Sequence, residues 1–202
     1  MFALVESGSI SKMLNGNRGI TIGDNQYPRS IFTLWSADER EAIGIYEVEI
    51  DTTNKKDEAW YINTNVTYSF GSEKVTGSYG SATAKAIADT LFTAEDESNG
   101  LGTEGEVKVK GLKTLKKEII KKHAAGILQD TDWYVTRKAD AGTAIPSAVS
   151  THRAAVRTKS GEMETAIDNA SDVDALAALY AYTEQEDGSF TRPLGEFPVL
   201  EA

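Results

Sequence analysis

The chain of 202 residues contains no cysteine, two histidines and four prolines. The lack of cysteine excludes disulfides, thiolate metal ligands and a cysteine nucleophile. No apolar run approaches the roughly 20 residues that a membrane-spanning helix requires. Acidic residues outnumber basic ones, and the net charge of -10 argues against nucleic acid, because phosphate binding requires clustered lysine and arginine. We therefore expect no membrane partner and no nucleic-acid partner.

The N-terminal sequence does not have the pattern of a signal peptide. The opening MFALVESGSIS has neither a basic region nor a sustained apolar core, so the sequence predicts no signal peptide. Together with the lack of cysteine, this favours a protein made in a reducing cytosol. The hydrophobic fraction of 40% is typical of a globular chain, long enough for one good-sized domain or two small ones.

Residues that usually carry chemistry are sparse and scattered. His123 lies on the apolar face of a predicted helix, which favours a core residue, and His152 has no ligand pattern beside it. The acidic segment 94–100 lacks the alternating ligands and terminal glutamate of an EF-hand. No GxSxG, Walker or kinase motif is present. We therefore expect no catalytic residue, no metal and no cofactor, and the sequence favours a protein that is not an enzyme.

Residues 1–80 have the alternating pattern of a small antiparallel β domain. FALVE and SISKML flank Ser7-Gly8, and NVTYSF and KVTGSYG flank Gly71-Ser72, so both pairs predict hairpins. Between them, Ser36 and Glu39 form a capping-box pattern that predicts a short helix.

Residues 81–104 are predicted as a connecting segment with a flexible linker. ATAKAIADTLFTAEDE fits a helix with Ala84, Ile87, Ala88 and Leu91 on one face, and an extension of the sheet is the alternative. The SNGLGTEGE run that follows contains three glycines in a short polar stretch, which is typical of a flexible boundary.

Residues 105–202 are predicted as a helical domain with an extended C-terminal tail. Leu112, Leu115, Ile119, His123 and Ile127 recur at helical spacing in the first helix.

Two further helices follow in the predicted helical domain. Pro146 opens the second long helix, with Val149, Val156, Met163 and Ile167 on its apolar face. Ser171 is the expected N-cap of a third helix. The expected fold class is therefore α+β, with the antiparallel β domain followed by a helical hairpin and a third helix.

Charge is unevenly distributed along the predicted helical domain. Lysines crowd into residues 108–122, whereas residues 160–189 contain acids and no lysine or arginine. The two stretches could pair with each other or with neighbouring subunits. The alternative is two solvated helix faces, since exposed ion pairs contribute little each.

Between the two long helices lies Thr131-Asp132-Trp133, followed by a dozen polar residues without clear periodicity. A lysine-rich helix ending in Thr-Asp-Trp, a polar loop, Ile-Pro and a helix with Arg153 and Arg157 resembles a family of small tailed-bacteriophage proteins. These are described as tail-fibre assembly or tail-associated proteins. In that family an aromatic residue and a leucine usually stand where this chain has His152 and Val156.

The opening of the chain is also similar to that family. MFALV, the SGSI turn and Gly-Ile-Tyr-x-Val at residues 44–48 match its N-terminal strands. The resemblance implies a non-enzymatic phage protein that acts in tail or tail-fibre assembly by binding another phage structural protein. The alternative is a virion structural subunit, such as a decoration or tail-accessory protein, without a chaperone role. An enzyme such as a cell-wall hydrolase is a third class, which the missing catalytic motifs disfavour.

The same resemblance sets the expected partners and location. The partner is a phage tail-fibre or tail protein, and a homo-oligomer is a further arrangement. The location is the host cytoplasm during assembly, with the virion as a second site.

The candidate partner-binding residues are Asp132, Trp133, Arg153 and Arg157. One hypothesis is structural: Asp132 caps the backbone where the first helix ends, and Trp133 covers the apolar seam of the helix pair. The other is a docking surface, for which two arginines one turn apart are suited, because a guanidinium can bind a carboxylate with two hydrogen bonds. We expect Trp133 to be largely buried, so that its removal costs about 3–5 kcal/mol.

Overall fold

The computed structural model describes residues 1–200 and divides the chain into two compact units. The first unit is Met1–Thr83, and the second begins at Ala84. The structure confirms a mixed α+β fold, with an antiparallel-rich sheet in the N-terminal part followed by helices. Within the described residues, no helix is both long enough and apolar enough to span a membrane.

The first unit is built on a five-stranded sheet. Its elements in chain order are β1 (Phe2–Glu6), β2 (Ser9–Leu14), β3 (Ile20–Ile22), β4 (Asn25–Tyr27), α1 (Ile31–Leu34), α2 (Ala37–Glu41), β5 (Ile45–Asp51), β6 (Tyr61–Ile62), β7 (Thr67–Gly71) and β8 (Lys74–Ser78). The strand order is β2-β1-β5-β8-β7. All neighbours are antiparallel except β5 and β8, which run parallel because the chain between them returns through β7.

Both predicted hairpins are present, and their turns show why these residues reverse the chain. Ser7 and Gly8 have φ of 50° and 75°, and Ser72 and Glu73 have φ of 51° and 59°. Positive φ at both central positions gives a turn whose twist matches that of the flanking strands. The second turn lies one residue later than Gly71-Ser72.

The five-stranded sheet carries an apolar cluster on each face. Leu4, Ile31, Phe32 and Ile45 belong to one cluster, and Ala3, Val48 and Val75 belong to the other. Helix α2 begins with the predicted capping box, in which the Glu39 amide donates to the Ser36 hydroxyl and the Ser36 amide donates to the Glu39 carboxylate.

The predicted helix over residues 84–91 is wrong. This part contains β9 (Thr83–Ala84), β10 (Thr90–Leu91), the short helix α3 (Ala94–Ser98) and β11 (Val107–Val109), which pairs with β10. The Asp89 carboxylate accepts hydrogen bonds from the Gly111 amide and the Thr114 hydroxyl, at 2.7 and 2.9 Å. These bonds hold the segment in an extended path against residues 111–114, and they lower the pKa of Asp89.

The remaining elements of the second unit are mostly helical. They are α4 (Leu112–Gln129), α5 (Asp132–Ala141), α6 (Ser147–Asn169), α7 (Val173–Ala178), β12 (Thr183–Glu184) and β13 (Phe190–Thr191). Helices α4 and α6 pack together and form the predicted hairpin. The polar loop predicted after Trp133 is wrong, because most of it is helix α5. Helix α7 is capped by Asp172, whose side chain accepts from the Ala175 amide, and not by Ser171.

The apolar face of α6 was predicted correctly, and that of α4 only in part. Val149, Val156, Met163 and Ile167 are all buried. On α4 the buried residues are Leu112, Ile120 and Ala124, whereas Leu115 and Ile119 are exposed. Relative to the predicted face, α4 is rotated so that Ile120 and Ala124 lie inward.

Lysines of α4 contact acidic residues of α6, which is one of the two arrangements that the uneven charge allows. Lys117 Nζ lies 2.7 Å from Asp168 Oδ1, and Lys121 Nζ lies 3.2 Å from Glu164 Oε2. Lys113 donates to the backbone carbonyl of Asp168 at 2.8 Å. These basic and acidic residues therefore pair with each other across α4 and α6.

Candidate partner-binding surface

The candidate surface is organised by a buried arginine on α6. Arg153 is 7% exposed, and its guanidinium lies where α4 ends and α5 begins. Its Nη1 donates to the Leu128 carbonyl at 2.7 Å and to the Thr131 hydroxyl at 2.6 Å, and its Nη2 donates to Asp132 Oδ1 at 2.8 Å. A cation at this position satisfies a carbonyl of the last helical turn and opposes the negative end of the helix dipole.

Asp132 has a different role from the predicted cap. The N-cap of α5 is Thr131, and no side chain makes a capping hydrogen bond there. The Asp132 carboxylate is instead the partner of Arg153, and its side chain is 59% exposed. One of the two charges in this pair is thus buried, and the other lies at the surface.

Trp133 is exposed, and the prediction that it is buried against the two long helices is wrong. Its side chain is 52% exposed on the first turn of α5. Within the described residues, α5 contains no buried residue. The tryptophan therefore leaves the seam between α4 and α6 and forms part of an external face.

The indole is held in place by its neighbours on α5. Its ring centroid lies 3.9 Å from that of Tyr134, and the Arg137 guanidinium carbon lies 4.6 Å from the Trp133 centroid and 5.2 Å from the Tyr134 centroid. Such cation–π contacts contribute about 0.5–1 kcal/mol at exposed sites. We refer to Trp133, Tyr134 and Arg137 as the α5 aromatic cluster.

Tyr134 and Arg137 were missed from the sequence. Their spacing to Trp133, one and four residues, places an arginine over two rings only if the segment is helical. The signal was present as Trp-Tyr-x-x-Arg, but a loop was predicted where α5 lies.

Arg157 lies one turn after Arg153 and differs from it in exposure. Arg157 is exposed, and its Nη1 donates to the Arg153 carbonyl at 3.3 Å. Of the four predicted residues, the structure joins Asp132 to Arg153, exposes Trp133 beside them and leaves Arg157 open to solvent.

A second feature borders the same junction. A cavity of about 410 Å³ is lined by Thr131, His123, His152 and the C-terminal residues Phe197 and Leu200, among others. His123 is exposed, so the prediction of a core histidine is wrong, because the rotation of α4 turns it outward. Its ring lies edge-on to Phe197 with centroids 4.9 Å apart.

The C-terminal tail that forms part of this cavity is fixed by polar contacts. Arg192 Nε lies 2.7 Å from Glu196 Oε1, and the Tyr182 hydroxyl donates to the same carboxylate at 2.7 Å. The hydrogen bond to Glu196 raises the pKa of Tyr182. Leu194 is buried, so the tail after β13 packs onto the unit, although most of it is not strand.

No group of three or more His, Asp or Glu side chains that could hold a metal ion is found in residues 1–200. No protein-family model, no curated protein and no solved structure matches the chain.

Proposed function

We propose that this chain is a non-enzymatic protein of a tailed bacteriophage that acts in tail or tail-fibre assembly by binding another phage structural protein. The observation that carries the proposal is the α5 aromatic cluster, in which Trp133 is exposed and Tyr134 and Arg137 are half-buried, next to the Arg153–Asp132 pair of the Thr-Asp-Trp motif. The resemblance of that motif and of the arginine helix to tail-fibre assembly proteins supplies the class of partner. Its place of action would be the host cytoplasm during assembly.

The composition of the cluster supports a role in protein recognition. Tryptophan, tyrosine and arginine are the residues enriched among those that dominate binding energy at protein interfaces. Stacked rings under a guanidinium are already ordered, so little side-chain entropy is lost on binding. A ten-residue helix without buried residues also leaves a whole face free for a partner.

Arg157 extends the proposed surface beyond α5. It is exposed and lies one turn from Arg153, so it could pair with a carboxylate of the partner. An exposed ion pair of this kind contributes mainly to the rate of association, and salt weakens it.

The experiment that tests the proposal is co-expression with the phage tail-fibre protein, followed by pull-down at low and high salt. We expect a complex at low salt and a larger yield of assembled fibre in the presence of this chain. A fibre that is soluble and fully assembled without the chain, with no complex at low salt, would end the assembly hypothesis.

The second candidate is a virion structural subunit without a chaperone role, and mass spectrometry of purified virions separates the two. Stoichiometric presence in the particle favours the subunit. Absence from the particle, with a genetic requirement for assembly, favours the chaperone.

A further inference from the structure

The first unit contains a cavity whose lining differs in charge from the rest of the chain. Its volume is about 380 Å³, within the range of small-molecule sites. Lys12 and Arg18 line it together with Thr21, the backbone of a glycine-containing loop and an apolar wall that includes Phe32. No acidic residue lines it, although the chain carries a net charge of -10.

The cations at this cavity differ from three others of the first unit. Arg40, Lys55 and Lys74 form ion pairs with Glu47, Glu58 and Glu49. Within residues 1–200, the side chains of Lys12 and Arg18 form neither an ion pair nor a hydrogen bond. Two unpaired cations therefore share one concave site in an acidic protein.

The loop that shapes the cavity depends on glycine at two positions. Gly16 has φ of 68°, and a Cβ there would lie 3.3 Å from the Phe32 ring. A Cβ at Gly19 would lie 2.6 Å from the Tyr27 carbonyl oxygen, which is closer than real contacts allow. The loop that carries Arg18 is therefore packed against Phe32 at Gly16 and against the backbone of Tyr27 at Gly19.

We propose that this cavity binds a small organic anion of about monosaccharide size, through a carboxylate or phosphate group that pairs with Lys12 and Arg18. An arginine fork and a lysine ammonium are the side chains that bind such oxyanions. The apolar wall around Phe32 leaves room for a carbon skeleton beside the charged group. The site lies in the first unit and is independent of the proposed function of α5.

The test is an NMR titration of the full-length ¹⁵N-labelled protein with three probes at constant ionic strength. Glucuronate carries a carboxylate, glucose 6-phosphate carries a phosphate, and glucose is the neutral control. We expect saturable shifts of the Gly16, Gly19 and Thr21 amides with at least one of the two anions and none with glucose. The anion that binds more tightly identifies the oxyanion group of the ligand.

Variants show whether the cations are responsible. Arg18→Gln and Lys12→Gln remove one cation each from the cavity, and Lys55→Gln is the matched control, because Lys55 pairs with Glu58 and does not line the cavity. We expect about tenfold weaker binding in each cavity variant, because one charged hydrogen bond is lost. Binding by the control should be unchanged. All three positions are surface side chains, so thermal unfolding should match the parent.

Two results would overturn the proposal. One is the absence of saturable shifts with both anions. The other is binding that Arg18→Gln and Lys12→Gln leave unchanged, or that Lys55→Gln weakens equally, which would place the anion elsewhere on the protein.

Discussion

At the residue scale, Arg153 and Trp133 meet at one junction and have opposite exposures. The arginine is buried, although charged side chains are rarely buried without partners, and its bonds to Leu128, Thr131 and Asp132 explain why it is tolerated. The tryptophan is half exposed although it is the largest apolar residue. The charged residue therefore stabilises the fold, and the aromatic residue is available to a partner.

The exposure of Trp133 predicts a small effect on stability. Trp133→Ala removes one ring stack and one cation–π contact at the surface, which should cost about 1 kcal/mol. Met163→Ala is the control for a core position, because Met163 is 1% exposed, and should cost about 2–5 kcal/mol. Denaturant unfolding measures both. A loss of several kcal/mol for Trp133→Ala would mean that the indole is part of the core.

Substitution of the two arginines should change the free energy of unfolding by different amounts. Arg153→Ala leaves the Thr131 hydroxyl and the Leu128 carbonyl without their cationic donor, so we expect a loss of about 2–3 kcal/mol. Arg157→Ala removes an exposed side chain and should change stability by about 0.5 kcal/mol or less. Equal effects of the two substitutions would contradict the stabilising role assigned to the hydrogen bonds of Arg153.

Sequence reasoning identified the residues of this junction but not their orientation. Asp132, Trp133, Arg153 and Arg157 were grouped by a motif pattern, and the structure joins Asp132 to Arg153. Whether Trp133 or Arg153 points inward depends on the direction in which α5 leaves α4, which is set by tertiary packing. The binding role of the four residues stays a prediction.

At the element scale, α5 is a ten-residue helix with no buried residue. Isolated helices of this length are marginal in water. Its start is held by the Arg153–Asp132 pair, and Gly142, with φ of 67°, ends it in a left-handed cap. This helix was predicted as a loop because its sequence is polar and weakly periodic. A helix without a core-facing side lacks the apolar stripe that predicts helices.

Helix periodicity was predictive for α6, although its buried face also contains His152, Arg153 and Ser160. The stripe of α6 was predicted because Val149, Val156, Met163 and Ile167 all pack inward. The face of α4 was predicted only in part, because Leu112 is buried as predicted, whereas Leu115 and Ile119 are exposed. Apolar residues occur on more than one side of α4, so hydropathy alone does not identify the side that packs on α6.

The segment after β10 offers a pH test of order in the predicted linker region. Lys108 Nζ lies 2.6 Å from Asp96 Oδ1, and this hydrogen bond, together with one from the Thr93 amide, lowers the pKa of Asp96 to about 2. A lowered carboxyl pKa stabilises the fold above its ordinary value of 3.8, and that contribution is lost as pH falls toward about 2. NMR titration should therefore give a midpoint for Asp96 near 2.

The matched variant for that titration is Lys108→Gln. Without the ammonium, the pKa of Asp96 should rise toward 3.8, since the largest cause of the shift is removed. A midpoint near 3.8 in the parent protein would show that the Asp96–Lys108 contact does not form and that residues 93–109 are less ordered than described.

At the scale of the whole molecule, the chain consists of two compact units that meet in sequence at Thr83 and Ala84. The glycine-containing run predicted as a linker makes backbone hydrogen bonds, including those between Phe92 and both Gly105 and Glu106. From the boundary between the two units, we expect limited proteolysis with a protease of broad specificity to cut first near residues 79–86. Early cleavage within residues 98–106 would instead support the predicted division at 81–104.

We propose that the α5 aromatic cluster binds a phage tail-fibre or tail protein. Isothermal titration calorimetry with the purified partner tests it most directly, using the parent, Trp133→Ala and Phe190→Ala. Phe190 is the matched control, because it is an aromatic residue of the same unit, 61% exposed and distant in sequence from α5. We expect Trp133→Ala to raise the dissociation constant by about tenfold or more, equal to about 1.4 kcal/mol, and Phe190→Ala to leave it unchanged. Equal affinity of the parent and Trp133→Ala, or no measurable binding by the parent, would contradict it.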